Sequence, residues 1–239
     1  MSVLPESHYI GAYWGPRNES AERCGSRLAE HLQAMGRLDP LFSQWYLTGR
    51  SRKGALSTPI EPAPEELGRL LGARVQRRDD PARTAMPELG FSVSIWNGQR
   101  DGVQVSVRCG VTAAISGAVS NSVVVQLPPG VGETARLYGR DLAQALFTGV
   151  VSAWDPSWST FTNHRLRRAQ ASDPWDVVGG WATFVATARR PPADELPQGL
   201  SCERLAAGLV LTVSGEPDQA AQSLVTAAGR MASQLARGK

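Results

Sequence analysis

The stretch that decides the fold runs Gly90-Phe-Ser-Val-Ser-Ile-Trp96, then a polar loop from Asn97 to Gly102, then Val103-Gln-Val-Ser-Val-Arg-Cys109. Both runs alternate strictly. Phe91, Val93 and Ile95 fall on one side and Ser92, Ser94 and Trp96 on the other, while Val103, Val105, Val107 and Cys109 oppose Gln104, Ser106 and Arg108. A period of two with one apolar and one polar side predicts a hairpin, half buried and half wet. Asn97-Gly98 and Asp101-Gly102 supply residues that tolerate a positive φ, in a loop longer than a tight two-residue turn. Phe91, Val93, Ile95, Val103, Val105 and Val107 are the expected core. Trp96 breaks the pattern, because it is a large aromatic on the serine side.

Outward from the hairpin, further segments supply what such a sheet needs. Val123 to Leu127 reads as a third strand, and His8-Tyr-Ile-Gly-Ala-Tyr-Trp14 as a short aromatic one stopped by Gly15-Pro16. Ala21, Cys24, Leu28, Leu32 and Met35 recur at helical spacing after a cap at Asn18 or Ser20, which predicts an amphipathic helix ending near Gly36. His31 is assigned to its polar side. Phe42 to Thr48 is expected as a strand and the basic, then proline-rich Arg50 to Pro64 as a surface loop. Pro64, followed by Glu65 and Glu66, opens a helix with Leu67, Leu70, Leu71 and Val75 on its stripe. A third helix carries Leu137 to Val150. Trp154 to Trp175 is expected to be irregular, with a short strand at Ser159 to Asn163, followed by strands at 179–187 and 209–213 and a last helix from Glu216-Pro217. The order β α β α β β β α β β β α predicts an α+β fold: one domain over 1–239, ordered from about 8 to 236, a mainly antiparallel sheet with helices packed on it.

Composition limits the function classes. A chain of 239 residues with 42% hydrophobic content can bury a full core without disulfides or metal. Net charge is +3 and the pI near 9.0, too balanced to argue for a polyanion partner. The basic clusters at Arg50 to Lys53, Arg77-Arg78, Arg165 to Arg168 and Arg189-Arg190 are scattered, as solvated surface is. Cys24, Cys109 and Cys202 are odd in number and contain no C-x-x-C, which points to buried free thiols in a reducing compartment. The first residues do not read as a signal peptide, and no run approaches a membrane span. A cytoplasmic location is expected, with no membrane partner.

Catalytic patterns are sparse. Gly130-Val-Gly132-Glu-Thr-Ala135 matches G-x-G-x-x-A between a strand and a helix, the turn in which glycines let backbone amides approach a pyrophosphate. The rest of that fingerprint, a parallel βαβ unit ending in an acidic residue, is missing, since Asp155 lies at the right distance but in a Trp-Asp-Pro turn. A plain strand-to-helix turn is preferred, and a nucleotide-dependent small enzyme using Gly130 and Gly132 is the alternative. His8, His31 and His164 have no partner at ligand spacing, and H-E-x-x-H, G-x-S-x-G and the Walker lysine are all lacking. The expectation is therefore no catalytic residues, no metal and no cofactor. Seven tryptophans are more informative. For Trp14, Trp45 and Trp181 core packing is preferred, whereas for Trp96, Trp154, Trp158 and Trp175 packing and recognition both stay open.

Gly11-Ala-Tyr-Trp-Gly-Pro-Arg17, the segment from Asp39-Pro-Leu-Phe to Arg50-Ser-Arg-Lys53, and Gly179-Gly180-Trp181 as a G-x-W motif together resemble the immunity protein 52 family of bacterial polymorphic toxin systems. In that resemblance Gly11, Trp14, Gly179 and Trp181 are the motif positions. It implies an α+β protein that binds a cognate toxin with a restriction-endonuclease-like domain and blocks its nuclease activity, without touching nucleic acid itself. The slightly basic chain argues against global mimicry of DNA. Contact with the toxin is expected at the wet face and loop end of the hairpin, through Trp96, Arg100, Asp101 and Arg108. The second choice is the aromatic and acidic segment holding Trp154, Asp155, Trp158, Asp173, Trp175 and Asp176.

Overall fold

The computed structural model of the protein describes residues 6–113, 120–170 and 177–237. Its first strand is β1 (His8–Trp14). Helix α1 (Ala21–Leu38) starts where the Ser20 hydroxyl accepts the amide of Arg23, and it buries Cys24, Leu28, His31, Leu32 and Met35. Strand β2 (Trp45–Leu47), helix α2 (Arg52–Leu56) and strand β3 (Pro59–Ile60) follow, and then α3 (Pro64–Gly72) with Pro64 in its first turn. The hairpin is β4 (Phe91–Trp96) and β5 (Gln104–Cys109), and β6 (Asn121–Gln126) comes next. Helix α4 (Arg140–Trp154), β7 (Trp158–Asn163), α5 (His164–Gln170), β8 (Ala182–Val185), β9 (Leu200–Leu205), β10 (Gly208–Val213) and α6 (Gln222–Ala236) complete the chain. The fold is α+β, with an antiparallel sheet and helices.

Two compact units organise these elements, one from Tyr13 to Val125 and one combining the chain up to Ala12 with the chain from Gln126 onward. In the first, the strands run in the order β3-β2-β4-β5-β6. The register of the hairpin keeps the two faces that the alternation predicts: Phe91 lies opposite Cys109, Val93 opposite Val107, Ile95 opposite Val105 and Trp96 opposite Gln104. Val93, Ile95, Val103, Val105, Val107 and Cys109 are all buried, whereas Phe91, at the open end, is only half-buried. Helices α1 and α3 meet backbone to backbone. A methyl added at Gly25 would fall on the amide nitrogen of Gly68, with the Gly68 Cα at 2.6 Å.

In the second unit the order is β1-β7-β8-β10-β9. β10 is buried along its whole length, paired antiparallel with β8 on one side and β9 on the other. β9 is its outermost strand and shows Ser201, Glu203 and Arg204 to solvent, while β3 holds the outermost place in the first unit. Helix α6 is packed over Gly179, where a methyl would collide with the carbonyl of Val225 and the amide of Gly229.

Several expectations need correction. The basic run after Asn163 is helix α5, whose first turn is capped by the Asn163 carboxamide accepting from the amide of Leu166 at 2.8 Å. The stretch from Arg50 to Pro64 holds α2 and β3 rather than loop throughout. β9 was not expected, because its charged residues hide a strand that buries only Leu200 and Cys202. The helix expected from Leu137 is a 3-10 turn over Gly132–Tyr138, and α4 begins only after Gly139. His31 is fully buried instead of solvated. It continues the Cys24, Leu28, Met35 stripe at steps of four, three and four, and burial holds its pKa down to about 4.

Candidate functional site

Asn97 builds the loop end of the hairpin. Its carboxamide oxygen accepts from the amides of Val103 (2.9 Å) and Gln99 (3.4 Å), its own amide donates to the Val103 carbonyl (3.1 Å), and its Nδ2 donates to the carbonyl of Leu41. The residue is 2% exposed, so these bonds replace water for a buried polar group and tie the loop to the segment before β2. Gly98 takes φ +77°, and a methyl there would strike the ring of Tyr46. On the other side of the loop, the Arg52 guanidinium donates to the Gly98 carbonyl at 3.3 Å.

Between this loop and the segment from Thr48 to Ala55 lies an open pocket of about 300 Å³. Trp96 forms part of its wall, with Arg52, Arg100, Thr48, Ser51, Gln99 and Gln104 around it. The Trp96 ring lies 6.4 Å from that of Tyr46 at 52°, its strand neighbour across β2. Its indole N–H is buried and meets no acceptor among the described residues. The hydroxyl of Thr48 is committed to the carbonyl of Ser94 and that of Ser51 to the amide of Gly54. Arg50, Arg52, Lys53 and Arg100 are exposed, and none of them takes part in an ion pair among the described residues.

The structure therefore brings Trp96 and Arg100 together at one pocket. Asp101 is exposed on the same loop. Arg108 is half-buried further along the polar face, opposite Ser92, which is exposed; Ser94 and Ser106 share a hydrogen bond of 3.0 Å on that face. Arg52, Thr48 and Ser51, which the sequence reading did not assign to the site, come from a segment more than forty residues earlier. Their signal was the basic cluster at Arg50 to Lys53, read there as ordinary surface.

The second-choice segment divides. Trp154 is fully buried at the end of α4, so its indole offers no surface to a partner, which corrects its assignment as a contact. Asp155 is exposed in a left-handed conformation (φ +46°) that ends the helix, and Trp158 is half-buried at the start of β7 opposite Val185. Asp173, Trp175 and Asp176 lie outside the described residues.

The remaining sequence motifs have structural surroundings. In Gly130 to Ala135, the Thr134 hydroxyl donates to the carbonyl of Pro129 at 2.6 Å and the Val131 amide is engaged by that same hydroxyl, so the turn closes on itself. A methyl at Gly130 would meet the Tyr138 ring at 2.7 Å. A pyrophosphate cradle needs free amides at the start of an α-helix, and here a 3-10 turn follows. His8 is buried, accepts at Nε2 from the Asn163 carboxamide (3.2 Å), and has its pKa lowered by burial. Tyr138 accepts from the His8 amide and donates to the Pro128 carbonyl, and burial pushes its pKa up to about 12. No group of three metal-ligating side chains occurs among the described residues.

The motif positions are structural. Trp14 is buried with the Arg17 guanidinium 4.8 Å above its ring, and Arg17 and Arg27 both grip Glu19, at 2.9 and 2.7 Å. Gly11 is buried in β1, its carbonyl accepting from the Ser159 hydroxyl at 2.8 Å. Gly179 exchanges two hydrogen bonds with the Gln170 carboxamide, and Trp181 stacks edge-on with Phe161 and donates its indole N–H to the Gly215 carbonyl.

An α+β scaffold with an aromatic, basic pocket on a rigid hairpin has the makings of a binding protein. Compared with known families, the chain matches Immunity protein 52 over residues 6–217 and belongs to that family. Among solved structures it is similar to the Pseudomonas aeruginosa T6SS protein PA0821, with a TM-score of 0.52 and 11% identity over 97% of this chain and 75% of that one, a likeness of fold. No curated protein matches it in sequence. Among the described residues no helix is long and apolar enough to cross a membrane.

Proposed function

We propose that this immunity protein neutralises its cognate toxin by stoichiometric binding in the cytoplasm of the producing cell, and that the toxin is a nuclease with a restriction-endonuclease-like domain. Membership of the Immunity protein 52 family over residues 6–217 carries the reading. The self-closed turn at Gly130 to Thr134 and the anchored hairpin loop suit a binder better than a nucleotide-dependent enzyme. The solved protein of like fold is described as a T6SS protein, which fits a role in competition between bacteria.

Recognition is assigned to the loop end of the hairpin, through Trp96, Arg100, Asp101 and Arg108, because loops held on a rigid sheet present side chains without disturbing the core. Co-expression with the toxin encoded beside it is the test. Cells producing both proteins survive, the two co-purify at one to one, and the purified pair no longer degrades DNA. Failure both to co-purify and to protect would sink the proposal; protection against a toxin that leaves DNA and RNA intact would remove the nuclease part.

A further inference from the structure

Strand pairing fixes which side chains stand beside one another on the polar face of the hairpin. Val75 bridges Phe91 antiparallel, and the Ser92 amide donates to the Arg74 carbonyl at 3.4 Å, so Arg74 lies opposite Ser92. On the other side of β4, Ser92 lies opposite Arg108. Arg74, Ser92 and Arg108 therefore form one row across the sheet, all three on the face away from the valines. The next row centres on Ser94 and Ser106, whose hydroxyls are hydrogen-bonded at 3.0 Å, with the Gln104 carboxamide donating to Ser106 at 3.2 Å. Tyr46, Trp96 and Gln104 make up the third row.

The valine side of the hairpin is covered. Helix α1 rests on it where the Cys24 and Cys109 thiols meet, and α3 packs against α1. On the polar side Arg74, Ser92 and Gln104 are exposed, and the other members of the three rows are half-buried. Because serine is short, the middle of this face is flat, with aromatic rings at one end and two arginines at the other. Rings and hydroxyls together give adaptable contact area at low entropy cost, as in antibody paratopes. Charge then selects the partner. None of the three rows contains a carboxylate, and neither Arg74 nor Arg108 takes part in an ion pair among the described residues. Strands spaced at about 4.8 Å put the Cα atoms of Arg74 and Arg108 about 10 Å apart on either side of Ser92, so that two side chains of that length can reach one carboxylate. A nucleic acid duplex needs a longer positive track than one row of two arginines.

We infer that the polar face of β4 and β5 seats an acidic surface of the toxin, with a carboxylate held between Arg74 and Arg108 over Ser92. This inference rests on the immunity reading above and extends the contact from the loop end of the hairpin along the whole face.

Calorimetry of the full chain with the catalytically silenced toxin tests it. Wild type binds, and Arg74→Glu and Arg108→Glu each weaken the complex by on the order of tenfold or more. Ser92→Trp, which raises a bulky ring from the exposed middle of the row, weakens it to a similar degree. Arg23→Glu, exposed in the first turn of α1, reverses a charge on the helix that covers the valine side and leaves affinity unchanged. Circular dichroism confirms that each variant is folded. Wild-type affinity in Ser92→Trp and in both arginine reversals would overturn the seat while leaving the immunity reading intact. Weakening by Ser92→Trp alone would overturn the acidic occupant. Absence of wild-type binding would instead overturn the immunity reading, and the inference with it. If a 20-base-pair duplex binds at low salt and the two arginine reversals abolish that binding, the occupant is a nucleic acid and the carboxylate assignment is wrong.

Discussion

Asn97 shows how much one side chain can organise. Its three side-chain hydrogen bonds close the loop on Val103 and Gln99 and fasten it to Leu41, so Asn97→Ala leaves a buried amide unpaired. A loss of about 1–3 kcal/mol in urea denaturation is expected, together with weaker toxin binding, because Arg100 sits on the loop that is freed. Trp96→Ala should cost about 2 kcal/mol or more of toxin affinity with little change in melting temperature; unchanged affinity with lost stability would mark Trp96 as packing alone. His31 sets a pH limit. Its imidazole ionises near pH 4 in the fold but near its ordinary 6.5 when unfolded, so the unfolded chain binds the extra proton between those values. The contribution of neutral His31 is complete above pH 6.5. It then falls by about 1.4 kcal/mol per pH unit, about 3 kcal/mol by pH 4. His8 is shifted in the same direction by burial. His31→Leu should flatten the stability profile across that window, as read by denaturant midpoints at successive pH values.

Among elements, α1 and α3 approach backbone to backbone at Gly25 and Gly68. Gly25→Ala would push a methyl into the backbone of α3, and a loss of about 1–3 kcal/mol is expected, seen as a lower urea midpoint with an unchanged slope. This scale also shows what the amino-acid order discloses. Strict alternation disclosed which residues of β4 and β5 face inward, since a slip of one would turn every valine to water, but left the pairing of Phe91 with Cys109 to the structure. The stripe of α1 was equally plain, yet His31 was misplaced on it, because an imidazole carries no mark of whether its surroundings are wet. β9 and α5 were hidden by their charges: Glu203 and Arg204 face outward from a strand, and the arginines of α5 sit on a seven-residue helix that buries only Leu166. The pocket was half legible. Trp96 announced itself by breaking parity, whereas Arg52 reaches Gly98 only because β2 pairs with β4, a long-range pairing that local spacing cannot encode.

For the whole molecule, all three cysteines are buried thiols. The hydrogen bond with Cys24, and then burial, raise the pKa of Cys109, and burial raises that of Cys202. A thiol reagent should therefore find three reactive groups in denaturant and react far more slowly in the native protein; three fast thiols under native conditions would contradict the packing. The outermost strands bear on how a partner can attach. β3 is two residues long and contains Pro59, which has no amide hydrogen, and in β9 the Arg190 guanidinium occupies the carbonyl of Cys202. Neither edge is a good template for a strand from another chain. A toxin bound by β-augmentation would be held through main-chain hydrogen bonds that tolerate almost any sequence. On the proposed reading, a protein blunt at both of those strands discriminates through side chains, so a small change in the toxin's surface residues is expected to end protection, as co-expression with toxin variants would show.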